Sequence, residues 1–202
     1  MAKKAPILKI KVMVASTIFG YEDQLEQICA TLQGYKYEVW NSHMKTIPVH
    51  PGLSNTDNCL RAVESCDVFF GIIRSRYGAV PGGELSITHQ EMLRAIQLKR
   101  PRWFIAHRDI SIARQLLKQY MYLGNGDPNP TFSYGRTEVL DDIRLINLYN
   151  ATILNDVAPE NRVGHWVDEF FRVGDILNVI KTQFSDKKRV KEIVEQMKVV
   201  AP

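Results

Sequence analysis

A parallel α/β fold, with helices on both faces of one sheet, follows from three observations. Four short runs, 7–15, 37–40, 67–73 and 102–106, are rich in β-branched and aromatic residues and lack helical spacing. Segments whose apolar residues recur at helical spacing alternate with them. The runs are near-continuously apolar rather than alternating, as strands buried on both faces are.

The first run closes at the polar turn Ser16-Thr17. Leu25, Ile28, Cys29 and Leu32 then mark a helix that Gly34 stops. After the short strand 37–40 comes an irregular loop, 41–54, carrying Pro48, Pro51 and Gly52, and then a helix over 55–65. A strand at 67–73, a helix at 90–98 and a strand at 102–106 make a parallel βαβ unit. The predicted strand order is 2-1-3-4.

The second half changes character. Ile112, Leu116, Leu117 and Tyr120 predict an amphipathic helix, 124–130 a loop, and Val139, Leu140, Ile143, Ile146 and Leu154 a longer helix. Residues 166–171 have the composition of a last edge strand. Val173, Ile176, Leu177, Ile180 and Phe184 mark a further helix, and Val190, Ile193, Val194 and Met197 a terminal one. The expected organisation is a flavodoxin-like three-layer domain at 7–107, with a mostly helical part, 108–202, packed on it or on a partner.

Composition narrows the function classes. A chain of 202 residues with 45% hydrophobic content can bury a full core without a metal or disulfide staple. Cys29, Cys59 and Cys66 form no C-x-x-C pair, and the basic start Met1 to Lys4 leads into a strand rather than a signal core, so a reducing cytoplasm is expected. No apolar run reaches the ~20 residues of a membrane span. The net charge of +4 comes from 26 basic and 22 acidic residues spread along the chain, so nucleic-acid binding is not indicated. The densest cluster, Lys187-Lys188-Arg189-Val-Lys191, reads as the solvated face of the terminal helix.

Several chemistries have no motif here: neither G-x-x-x-x-G-K-[ST], G-x-G-x-x-G nor G-x-S-x-G occurs. His43, His50, His89, His107 and His165 lack metal-site spacing, so no metal is expected. What stands out is the loop after the third strand, which gathers Arg74, Arg76, Tyr77, Ser86, Thr88 and Glu91 where open α/β sheets bind ligands.

Glu91 admits two readings. A carboxylate beside an anomeric carbon can stabilise the cation that develops when an N-glycosidic bond breaks, or add to it as a nucleophile. The arginines and helix N-termini can hold phosphate, and Ser16 or Thr17 can reach ribose hydroxyls. Alternatively, Thr88-His-Gln-Glu91 spells a capping box, in which Glu91 only returns a hydrogen bond to Thr88. Arg74 and Arg76 can equally be solvated surface residues, Tyr77-Gly78 an ordinary turn, and His89 an exposed first-turn histidine. Asp67, at the amino end of its strand, reads as structural.

The motifs Val12-Met-Val-Ala-Ser16-Thr17, Cys66-Asp67-Val-Phe-Phe-Gly71, Arg76-Tyr77-Gly78 and Ser86-Ile-Thr88 with Glu91, in this order, resemble a TIR-like domain-of-unknown-function family, DUF4062. That family is distantly similar to nucleoside 2-deoxyribosyltransferases and TIR-type NAD glycohydrolases, and the run from Glu91 to Pro101 resembles the glutamate-to-Lys-Pro segment of the transferases. By this resemblance Glu91 is the catalytic carboxylate, and Ser16, Thr17, Arg74, Arg76, Tyr77, Ser86 and Thr88, gathered around it, are the expected substrate-binding residues. The transferases' Asp-Ser-Gly is replaced by Gly83-Glu84-Leu-Ser86, and the Trp-Cys pair of many TIR domains is missing. The resemblance implies cleavage of the N-glycosidic bond of NAD or a nucleotide without a cofactor, in a homo-oligomer or a larger bacterial defence assembly. Its alternative is a non-catalytic module that binds a nucleotide signal or mediates assembly.

Overall fold

The computed structural model describes residues 9–155 and 157–200. The basic start at 1–4, residues 7 and 8 of the first predicted strand, and residues 201 and 202 of the predicted helical part lie outside them. Five strands form one parallel sheet: β1 (Lys11–Ser16), β2 (Glu38–Trp40), β3 (Val68–Ile73), β4 (Arg102–His107) and β5 (His165–Phe170). Their order is β2-β1-β3-β4-β5, as the sequence predicts, and the apolar stretch near 166–171 is the edge strand.

The pleat sorts side chains into two cores. Val12 and Val14 of β1, Phe70 and Ile72 of β3, and Trp103 and Ile105 of β4 point to one face. Met13 and Ala15, Phe69 and Ile73, and Phe104 and Ala106 point to the other. The first face is covered by α1 (Glu22–Gly34), α6 (Val173–Phe184) and α7 (Lys187–Val200). The second is covered by α2 (Asn55–Ser65), α3 (Ile87–Gln97), α4 (Arg108–Met121) and α5 (Arg144–Thr152). The part after residue 107 therefore supplies a strand of the sheet and a large share of both covering layers.

Phe184 shows how firmly α6 is bound in. Its ring lies 5.0 Å from Trp103 and 5.8 Å from both Phe70 and Tyr37, and the Tyr37 hydroxyl donates to the Phe184 carbonyl at 2.9 Å. Removing an aromatic from such a site costs about 3–5 kcal/mol. On the other face, a Cβ on Gly71 would lie 2.7 Å from the Phe104 ring, so glycine there lets β3 and its neighbour pack closely.

Three expectations need correction. Helix α3 starts at Ile87 rather than 90, because the Ser86 hydroxyl accepts the His89 N–H and caps it earlier. The long helix expected from 139 shortens to Arg144–Thr152, since Thr137 and Leu140 exchange hydrogen bonds and the Asp141 N–H donates to the Ser75 carbonyl. Helix α4 forms, but its expected inner residues Ile112, Leu116 and Tyr120 are exposed, and Ile110, Ser111 and Met121 are the buried ones. Among the described residues, no helix is long and apolar enough to cross a membrane.

Candidate functional site

The strand order reverses direction between β1 and β3, and in open α/β sheets ligands bind at the carboxyl ends of the strands at such a point. Two loops leave the sheet there, one after Ser16 and one after Ile73. Arg74 holds them together. Its guanidinium donates to the Thr17 carbonyl at 3.0 Å and the Gly20 carbonyl at 3.4 Å, and it lies 4.0 Å over the Tyr21 ring. Gly78, at φ +88°, packs so closely that a Cβ would lie 2.7 Å from Thr17 Cγ2, which sets glycine there on both conformation and space.

Between these loops and the first turns of α2 and α3 lies a cavity of about 820 Å³. Ser16, Thr17, Arg76, Thr88 and Glu91 all line it. Thr88 and Glu91 stand three residues apart, hence on one side of α3. Glu91 is only 5% exposed, and burial pushes its carboxyl up to about 7, against a smaller downward pull from the Cys59 thiol that donates to it. The Cys59 thiol is itself pushed up to about 12 by burial and by the Glu91 charge. No ion pair neutralises Glu91 among the described residues, so near neutral pH it is poised between acid and carboxylate. Thr17 Oγ1 is buried and has no hydrogen-bond partner among the described residues.

The capping-box reading of Glu91 does not survive. Ser86 is the N-cap, and Glu91 lies beyond the third helical position from which a side chain returns to the cap. The other expected site residues stand apart from this cavity. Arg74 is engaged with backbone carbonyls and lines a neighbouring cavity of about 680 Å³. Tyr77 is 3% exposed, its hydroxyl bonded to His89 Nδ1 at 2.7 Å and its ring 4.6 Å beneath the Arg144 guanidinium. Ser86 is buried in its capping role. His89 is buried rather than exposed, and burial, with Arg144 nearby, pushes its imidazole down to about 4, so it is neutral at physiological pH.

Among the cavity-wall residues that a reading of the sequence misses are Lys45, Cys59, Arg136 and Asp141. Cys59 offered one signal, its place one turn into a helix whose start meets the sheet edge. Arg136 and Asp141 come from the segment after residue 130. It is anchored where Asp141 accepts the Tyr77 N–H at 2.8 Å and returns its own N–H to Ser75 at 3.0 Å. Among the described residues, no cluster of three or more His, Cys, Asp or Glu side chains could hold a metal ion.

Among the solved structures similar to this chain is the CMP N-glycosidase BcmB of Clostridium botulinum, at 14% identity and a TM-score of 0.45, covering 85% of this chain and 98% of that one. No curated protein matches the sequence. The family model described as Domain of unknown function (DUF4062) matches residues 11–194, from β1 into α7. The chain belongs to the DUF4062 family.

Proposed function

We propose that the protein breaks the N-glycosidic bond of NAD or of a nucleotide or nucleoside, by hydrolysis or by transfer of the sugar, with Glu91 as the catalytic carboxylate. The observation that carries this reading is a buried carboxylate, free of any cationic partner, on the wall of a cavity at the strand-order reversal. As the bond between sugar and base lengthens, its electron pair leaves with the base and positive charge builds on the sugar. An ionised Glu91 in a low-dielectric site stabilises that charge or bonds to the anomeric carbon. Water, or a second base, then takes the sugar, giving the free base and either the hydrolysed sugar or a new glycoside.

Thr17 fits as a sugar contact, because a buried hydroxyl without a partner gains a full hydrogen bond from a ribose hydroxyl. Thr88 and Ser16, on the same wall, are further contacts for the sugar. The second reading, a non-catalytic module that assembles with copies or partners, draws on the exposed apolar residues Ile112, Leu116 and Tyr120 of α4. Incubation with NAD, nucleotides and nucleosides, with free base followed by chromatography, tests the first reading. Base release that depends on Glu91 is the expected result, and nucleotide binding without release would favour the module.

A further inference from the structure

The cavity that holds Glu91 does not end at Arg76. The smaller cavity continues from it, and the two share Phe19, Arg76, Arg136 and Asp141 as a common wall. Two guanidinium groups therefore stand at the junction. Both are free of ion pairs among the described residues, although Asp141 lines both cavities and Glu138 lines the smaller one. Asp141 accepts the Tyr77 N–H at 2.8 Å through one carboxylate oxygen, which holds it against the loop at Tyr77.

The two arginines differ in how they are held. The Arg76 guanidinium lies 4.4 Å over the Phe19 ring, which fixes its plane and leaves the N–H edge free. Arg136 is exposed and lines both cavities. Arg74, third in the row, is already spent on the carbonyls of the first loop. Lys45 adds a further cation to the wall of the larger cavity.

Resting on the glycosidase reading, we infer that the substrate is a phosphorylated nucleoside, its phosphate gripped at the junction by Arg76 and Arg136 while the sugar faces Glu91. A planar guanidinium presents paired N–H groups that match phosphate oxygens, and two such groups from different parts of the chain converge on one anion. The smaller cavity then takes whatever is joined beyond the phosphate. A free nucleoside would fill only the Glu91 side and leave both guanidiniums without a partner.

The test is calorimetric titration of the full-length Glu91→Gln protein, so that binding is read without turnover, using adenosine, AMP, cytidine, CMP and NAD. At least one phosphorylated ligand should bind on the order of 10- to 100-fold more tightly than its nucleoside. Arg136→Ala and Arg76→Ala should each erase most of that difference, read as the ratio of nucleotide to nucleoside affinity in the same variant. Nucleosides binding as well as their phosphates, no binding of any phosphorylated ligand, or a phosphate preference that survives loss of both arginines would overturn the inference. Base release by the wild-type protein is assayed alongside. Its absence together with an Arg136-dependent phosphate preference would overturn the glycosidase reading and leave the grip standing, while release from nucleosides and nucleotides alike would do the reverse.

Discussion

Among the groups whose acid–base equilibria burial displaces, Glu91 and Arg102 stand at opposite ends of the sheet. Glu91 sits beyond the carboxyl ends of the strands, and Arg102 opens β4 at the amino end, where burial pulls its guanidinium down to about 10. Arg102 is bonded to groups of the protein itself. Its Nε donates to His165 Nδ1 at 2.8 Å, its Nη1 donates to the Arg100 carbonyl at 2.9 Å, and the other ring nitrogen of His165 donates to the Thr152 carbonyl. That chain of bonds fixes the His165 tautomer and ties β4 to β5 and α5. Glu91, by contrast, has a thiol for its neighbour and a cavity in front of it. Burial displaces both groups, so displacement alone does not mark a site. What separates them is whether the group's bonding capacity is spent inside the protein or held open toward a space a ligand can enter.

Substitution at each end should break in a different measurement. Glu91→Gln keeps the size and most of the packing and removes the charge, so base release should fall by about 10³-fold or more while the protein folds. A variant with wild-type turnover would end the catalytic assignment. His165→Ala should do the opposite. It leaves the buried Arg102 Nε and the Thr152 carbonyl without partners, which should cost on the order of 3 kcal/mol in urea unfolding while turnover per folded molecule stays unchanged.

The two ends should also answer to pH with opposite sign. The Glu91 carboxyl, raised to about 7, binds more protons in the folded than in the unfolded state between about 4.5 and 7. Its contribution to stability therefore falls as pH rises through that window. His165, pulled down to about 4 by burial and the Arg102 charge, binds fewer protons when folded between 4 and 6.5, so its contribution falls as pH drops. Glu91→Gln should then be more stable than wild type at pH 8, and the gap should close by pH 5, as unfolding free energies measured across that range would show. Activity should rise with pH through about 7 in kcat/KM, because the ionised carboxylate is the working form. A gap that is flat with pH would mean that Glu91 is not the buried acid described here.

The same contrast explains what the sequence discloses. β3 is legible because all six of its residues are buried and it reads as one apolar run, and the loop after it is legible because a polar stretch between such a run and a helix has few other uses. The fifth strand is weaker: only Phe170 of its six residues is fully buried, so its composition is mixed, and pairing with β4 rather than burial holds it. Arg136 and Asp141 carry no local mark, since what brings them to the site is a hydrogen bond between Asp141 and the loop at Ser75 and Tyr77, more than sixty residues away in the chain. The apolar spacing around Val139 and Leu140 misled for the same reason. Leu140 is buried and Val139 is exposed, but they belong to a hydrogen-bonded turn rather than a helix.

The smallest effect separates the cap from the cavity within a single helix turn. Ser86 and Thr88 both carry hydroxyls at the start of α3, and only Thr88, three residues before Glu91, has the spacing of a capping box in the sequence. In the structure Ser86 is the cap, accepting the His89 N–H at 3.2 Å, whereas Thr88 lines the cavity with Glu91. Ser86→Ala should therefore cost about 1 kcal/mol of stability, as loss of a side-chain N-cap does. Thr88→Ala should leave stability within about 0.5 kcal/mol, since its hydroxyl caps nothing, and should instead raise KM for the substrate. Thermal melts and kinetics on the two variants check this. A Thr88→Ala protein that melts early with unchanged KM would return Thr88 to the cap and take it out of the site.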